Sequence, residues 1–135
     1  MGRGTCALWT SEGGTCHLAW QTAESFNQEL NAWDTSSVTT MESTFKDATL
    51  FNQPLQWDVS KVTNMQELFK GKEAFNGDLS EWDTSSLTSA YQMFHSCRLF
   101  NSDISNWDVS RVSTMESMFY NANSFNVDLA KWDNS

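Results

Sequence analysis

The feature that most constrains this chain is an internal period of about 25 residues. Phe-Asn pairs stand at 26–27, 51–52, 75–76, 100–101 and 125–126, and Trp-Asp pairs at 33–34, 57–58, 82–83, 107–108 and 132–133. Successive Phe are 25, 24, 25 and 25 residues apart, the short step arising from a residue missing between Leu55 and Trp57. A unit of this size cannot enclose its own large side chains. Stacking like units solves the problem, because each column then packs on its counterpart above and below.

Further columns lie between these pairs. Leu30, Leu55, Leu79, Ile104 and Leu129 follow each Phe by four; Val38, Val62, Leu87 and Val112 open the second half of each unit. Met41, Met65, Ala90 and Met115 come next, then Phe45, Phe69, Phe94 and Phe119. Thr39-x-x-Glu42, Thr63-x-x-Gln66 and Ser113-x-x-Glu116 have capping-box spacing, which Tyr91 breaks in the third copy. Apolar residues then recur at three and four, the stripe of a two-turn helix. The spacing predicts helices over 40–47, 64–71, 89–96 and 114–121, each depending on packing because it is too short to stand alone. The first half of each unit has room for a small strand and a turn.

These readings combine into an α/β tandem-repeat solenoid of ~25-residue coils, each a short strand or turn plus a short helix, within the ~20–29-residue period of leucine-rich repeats. Units start near 26, 51, 75, 100 and 125, the last incomplete, so that 26–135 form the repeat array. Residues 1–25 read as a degenerate capping repeat, with Cys16, Trp20 and Ala23 in the Met, Phe and Ala columns.

Seven Trp and nine Phe in 135 residues demand a core and argue against disorder. A net charge of −9 repels phosphate backbones, which excludes nucleic acid as the expected partner and leaves cationic groups or divalent ions open. No run approaches the ~20 apolar residues of a membrane span, so direct membrane insertion is not expected. Met1-Gly2-Arg3-Gly4-Thr5-Cys6 shows no apolar core of a secretion signal. Of the three cysteines, Cys6 and Cys16 are a candidate disulfide pair if the chain is exported, and three free thiols are the other reading.

The string F-N-x-x-L-x-x-W-D-V-S-x-V-T-x-M-x-x-x-F is carried at Phe51–Phe69 with one deletion and at Phe100–Phe119 with Ser for Thr. It resembles the BspA-like repeats of bacterial and mycoplasmal surface lipoproteins, and the related PARCEL repeats, over roughly residues 15–135. That resemblance implies a relative of leucine-rich repeats at a cell surface or secreted, with roles in adhesion. It supplies no catalytic residues.

Each conspicuous column has a structural and a functional reading. Asp34, Asp58, Asp83, Asp108 and Asp133, with Glu29, Asp78, Asp103 and Asp128 in a second acidic column broken by Pro54, could bind Ca²⁺. The spacing Asp-x-Ser instead favours turns in which each carboxylate accepts backbone N–H groups. Asn27, Asn52, Asn76, Asn101 and Asn126 read as buried amides that satisfy turn groups between coils. Trp33, Trp57, Trp82, Trp107 and Trp132 keep phase with Leu and Phe and read as core before glycan platform. Phe26, Phe51, Phe75, Phe100 and Phe125 are core likewise. Cys97 stands in the column of Ala48 and Ala122, as a packed thiol. Lys72 stands there too, and is expected to reach outward or be displaced by the short unit.

His17 and His95 are too few for a metal cluster, and no nucleophile elbow, zinc-protease motif or phosphate loop is present. No cofactor is expected, and rows of like residues argue against an enzyme. The functional expectation is a non-catalytic scaffold for a protein or glycan partner, with a structural spacer and a calcium-dependent adhesive module as alternatives. The outer pairs Lys46-Asp47, Lys70-Gly71, His95-Ser96 and Tyr120-Asn121 vary between units as a binding face would. Phe125, Leu129 and Trp132 form the last coil, through which self-association is expected.

Overall fold

The computed structural model describes residues 14–15 and 24–132. Among them there is no helix. The regular elements are two short strands, β1 (Gly14–Thr15) and β2 (Val38–Thr40), paired in parallel with an irregularity between Gly14 and Thr15. The expected α/β, leucine-rich-repeat-like solenoid with helices at 40–47, 64–71, 89–96 and 114–121 is therefore not the fold. Turns occupy those segments instead.

The hydrogen bonds show why. In the 41–48 segment Thr44, Lys46 and Ala48 donate their N–H groups three residues back, to Met41, Ser43 and Phe45. The alternate N–H groups of Met41, Ser43, Phe45 and Asp47 leave the copy and reach the carbonyls of Asn64, Gln66, Leu68 and Lys70 in the next one, at 2.8–3.0 Å. A helix would have sent all of them four residues back within the segment. The same interleaving joins Met65, Glu67, Phe69 and Gly71 to Ser89, Tyr91, Met93 and His95, and Ala90, Gln92, Phe94 and Ser96 to Thr114, Glu116, Met118 and Tyr120. Each segment thus meets its backbone demand partly by tight turns and partly by its neighbour. Isolated parallel bridges Thr40–Asn64, Asn64–Ser89 and Ser89–Thr114 mark the register.

Alternation requires left-handed backbone at two places per segment. These are Ser43 and Asp47, Glu67 and Gly71, Gln92 and Ser96, and Ser117 and Asn121, with φ between 51° and 78°. Only Gly71 is a glycine, so most of these positions bear the steric penalty of a side chain in that region. In the first three segments every such N–H is engaged by the next copy, which offsets the penalty.

Apart from Ser43, the buried positions of the first segment are Met41, Thr44, Phe45 and Ala48. Their spacing is that of a helical stripe, so the burial pattern alone could not separate helix from turn ladder. Inside, Phe rings stack in two columns. Phe45, Phe69, Phe94 and Phe119 succeed one another at 5.6–5.8 Å, and each meets the next Phe along the chain (Phe51, Phe75, Phe100, Phe125) at 4.0–4.3 Å. The second column stacks at Phe26–Phe51, Phe75–Phe100 and Phe100–Phe125. Between Phe51 and Phe75 the Lys72 ammonium lies instead, 5.4 and 5.9 Å from the two ring centroids. Lys72 is fully buried and donates to the carbonyl of Ala48, which corrects the first of its two expected placements, reaching outward. Its stem lies in the core, where a neighbouring carbonyl and two ring faces take the place of water.

Cys6, Cys16, Trp20, Ala23, His17 and Asp133 lie outside the described residues, and with them the candidate disulfide and most of the capping repeat.

Candidate functional site

The lateral surface is built from turns whose side chains are largely committed to holding the backbone. Asp34 Oδ1 accepts both the N–H (3.0 Å) and the hydroxyl (2.6 Å) of Ser36. Asp58 does the same with Ser60, and Asp108 with Ser110. Asp83 accepts from the Ser85 N–H, and the second acidic column repeats the device at Asp78–Ser80, Asp103–Ser105 and Asp128–Ala130. Hydrogen bonds from the serine hydroxyl and N–H hold the carboxyls of Asp34, Asp58, Asp83 and Asp108 below their ordinary range. Glu29 is exposed. Among the described residues no three His, Cys, Asp or Glu side chains are grouped to hold a metal ion.

The asparagines form a ladder. Asn27 Oδ1 accepts the N–H of Asn52, and Asn52, Asn76 and Asn101 accept in turn from Asn76, Asn101 and Asn126, at 2.8–3.2 Å. The amides are exposed rather than buried as the sequence suggested, because the bond runs along the surface from one copy to the next. The tryptophans make a second ladder: Trp57, Trp82, Trp107 and Trp132 donate Nε1–H to the carbonyls of Leu30, Leu55, Leu79 and Ile104. Trp57, Trp82 and Trp107 are buried, whereas Trp33 and Trp132 are half-buried. None of the buried three offers an open ring face for a sugar.

Exposed columns vary between copies, those of the turn-ladder face among them. Its outer column runs Lys46, Lys70, His95, Tyr120, and the neighbouring one Glu42, Gln66, Tyr91, Glu116. Glu67 bridges Lys46 at 2.7 Å and Lys70 at 2.6 Å. Burial pushes the Glu67 carboxyl up, but the two ammonium groups outweigh it and leave it below its ordinary value. His95 stacks on Tyr120 at 4.9 Å, and among the described residues Tyr120, Leu50 and Leu99 are the large exposed hydrophobics. Cys97 is buried, donates to the Phe69 carbonyl and has its thiol pushed up to about 12 by burial. It is a packed group and not a nucleophile.

Two buried columns were not singled out by sequence reasoning: Thr44, Leu68, Met93 and Met118, and Thr35, Val59, Thr84 and Val109. The first was visible only as part of the apolar recurrence at three and four, the second only as a Thr/Val alternation after the first four Trp-Asp pairs. No helix among the described residues is long and apolar enough to cross a membrane. A family profile described as "Mycoplasma protein of unknown function, DUF285" matches residues 10–56 and 55–135. No curated protein and no solved structure matches the chain.

Proposed function

We propose that this chain, which belongs to the DUF285 family of Mycoplasma proteins of unknown function, is a non-catalytic repeat scaffold that binds a protein or glycan partner at a cell surface. The observation that carries this reading is the division of labour between the columns. Phe, Trp, Leu and Asn recur because backbone ladders and ring stacks depend on them, while the outer turn column changes from Lys to His to Tyr. The N–H bonds between copies do not involve those outer side chains, so their chemistry can change without disturbing the frame. The finer kinship with BspA-like and PARCEL-type repeats, and the surface setting that goes with it, rests on the string at Phe100–Phe119. That kinship does not bring a strand-plus-helix coil with it, since the described residues contain no helix.

The test is direct. The purified chain is screened against arrayed glycans and a panel of extracellular proteins, beside a variant with Lys46, Lys70, His95 and Tyr120 all replaced by Ser. A ligand held by the parent and lost by the variant, with the melting curve preserved, supports the proposal. Failure to bind anything favours a spacer, and binding that survives the replacements removes the turn face from the account. A melting temperature that rises with Ca²⁺ favours the calcium-dependent module, since a ligand at 100 times its Kd adds about 2.7 kcal/mol.

A further inference from the structure

The copy at 51–74 is one residue shorter than its neighbours, and the loss falls at a corner. Elsewhere the corner is a tight turn: Trp33, Trp82, Trp107 and Trp132 donate N–H to Leu30, Leu79, Ile104 and Leu129 at 2.9–3.2 Å. Between Leu55 and Trp57 stands Gln56 alone, and the turn is not made. The chain cuts across, and the space vacated is a notch of about 410 Å³ lined by this copy from Pro54 to Asp58 and by Asp78, Glu81 and Trp82 of the next.

Three properties of the notch limit what fits it. Its walls include Pro54 and the nearly covered indoles of Trp57 and Trp82, each 5% exposed, so a flat sugar finds no open ring to stack on. Its charged lining is Asp58, Asp78 and Glu81, with no Lys, Arg or His. Asp58 and Asp78 are held ionised by bonds from Ser60 and Ser80, whereas Glu81 has no hydrogen bond or ion pair among the described residues. The frame is also incomplete beside it. Thr84 Oγ1 reaches the Asp108 carbonyl at 3.1 Å, but the hydroxyl of its column equivalent Thr35, 4% exposed, makes no such bond to the counterpart of Asp108, the notch residue Asp58, and has no hydrogen-bond partner among the described residues. A divalent ion is disfavoured because no metal-sized grouping of donors is present among the described residues. A lysine ammonium loses more hydration than a guanidinium on entering such a space.

We propose that this notch takes an arginine side chain presented by a partner protein, its stem along Pro54 and the two indoles and its guanidinium between the carboxylates of Glu81 and Asp78. Planar, weakly hydrated and forked, that group suits paired carboxylates beside a largely apolar wall. The inference rests on the binding-scaffold reading and deepens it by naming the partner chemistry.

The experiment is a nitrogen–proton NMR titration of the full chain with a glycine-flanked arginine peptide and with its citrulline twin. The indole signals of Trp57 and Trp82 are expected to move with arginine and stay still with citrulline. Glu81→Gln is expected to weaken the arginine shift about threefold, the size of a partly exposed ion pair. One alanine inserted between Gln56 and Trp57 restores the corner and is expected to abolish it. If that insertion fails to fold, the double variant Glu81→Gln/Asp78→Asn, confined to exposed side chains, carries the test. Equal shifts with citrulline, shifts elsewhere alone, no shift at millimolar peptide, or indole shifts with a neutral oligosaccharide instead would each overturn the proposal. A partner from the panel that still binds the corner-restored protein would overturn the notch and leave the scaffold reading standing.

Discussion

The copies at 75–99 and 51–74 carry the same columns but close them differently. The first is regular: Trp82 donates back to Leu55, Phe75 stacks on Phe100 at 6.1 Å, and Leu79 and Trp82 are joined by a full corner turn. The second lacks the corner, has Pro54 where an Asp-type turn residue would stand, and inserts Lys72 where the Phe51 and Phe75 rings would otherwise meet. Both nonetheless pass the same interleaved N–H bonds to the next copy. The backbone ladder at the turn face is therefore what fixes register, and it tolerates a deletion on the opposite part of the copy. Irregularity is absorbed as a notch and a buried cation.

Removing a ladder tryptophan is the largest perturbation available. Trp82→Ala should cost about 3–5 kcal/mol, as for a large aromatic cavity, whereas Trp132→Ala should cost about 1–2 kcal/mol because Trp132 is already half-buried. Chemical denaturation of the two variants measures the difference, and equal losses would remove the distinction between inner and outer copies.

Lys72 gives the next effect. Burial lowers its pKa from 10.5 to about 8. Between those values the unfolded chain binds more protons than the folded one, so this group makes stability rise with pH across that window, by on the order of 3 kcal/mol, and contributes least below pH 8. Cys97 opposes it: its thiol, pushed up from 9.0 to about 12, makes stability fall as pH climbs between those values. The Lys72 rise should therefore stand alone only in a Cys97→Ala background, which follows Ala48 and Ala122 in the column. In Lys72→Met/Cys97→Ala it should vanish, with a gain in stability at neutral pH. Denaturation curves from pH 7 to 10.5 read both.

Gly71 has φ +78°, and a Cβ there would lie 2.1 Å from Asp47 Oδ1. Gly71→Ala should cost about 1–2 kcal/mol, less if Asp47 swings aside, and Asp47→Ala combined with it should return part of the loss. Smallest is the Lys46–Glu67–Lys70 bridge: Glu67→Gln should cost under about 1 kcal/mol, and less in high salt.

Much of this was legible in the sequence and some was not. The Phe, Trp, Leu and Asn columns and the position of the deletion were plain from spacing alone. The helices were misread because Met41, Thr44, Phe45 and Ala48 are buried in the order a helix would bury them. The residues that decide otherwise, such as Ser43, Glu67 and Gln92 with left-handed backbone, are not of the glycine type that would announce it. The Asn ladder was visible as a row, but exposure depends on which way the amide runs between copies. Lys72 looked outward by residue type; only the gap between Phe51 and Phe75 explains its burial. The notch needed the fold, since a missing residue says where a corner is lost and not what is left behind.

The central claim, that each segment is a turn ladder shared with its neighbour and not a helix, is tested most directly by through-hydrogen-bond couplings in long-range NMR. The Phe69 amide nitrogen should couple to the carbonyl carbon of Met93, its acceptor in the next copy at 3.0 Å, and Leu68 to that of Met65. A coupling from Phe69 to Met65, four residues back in its own copy, would mean a helix and contradict the account.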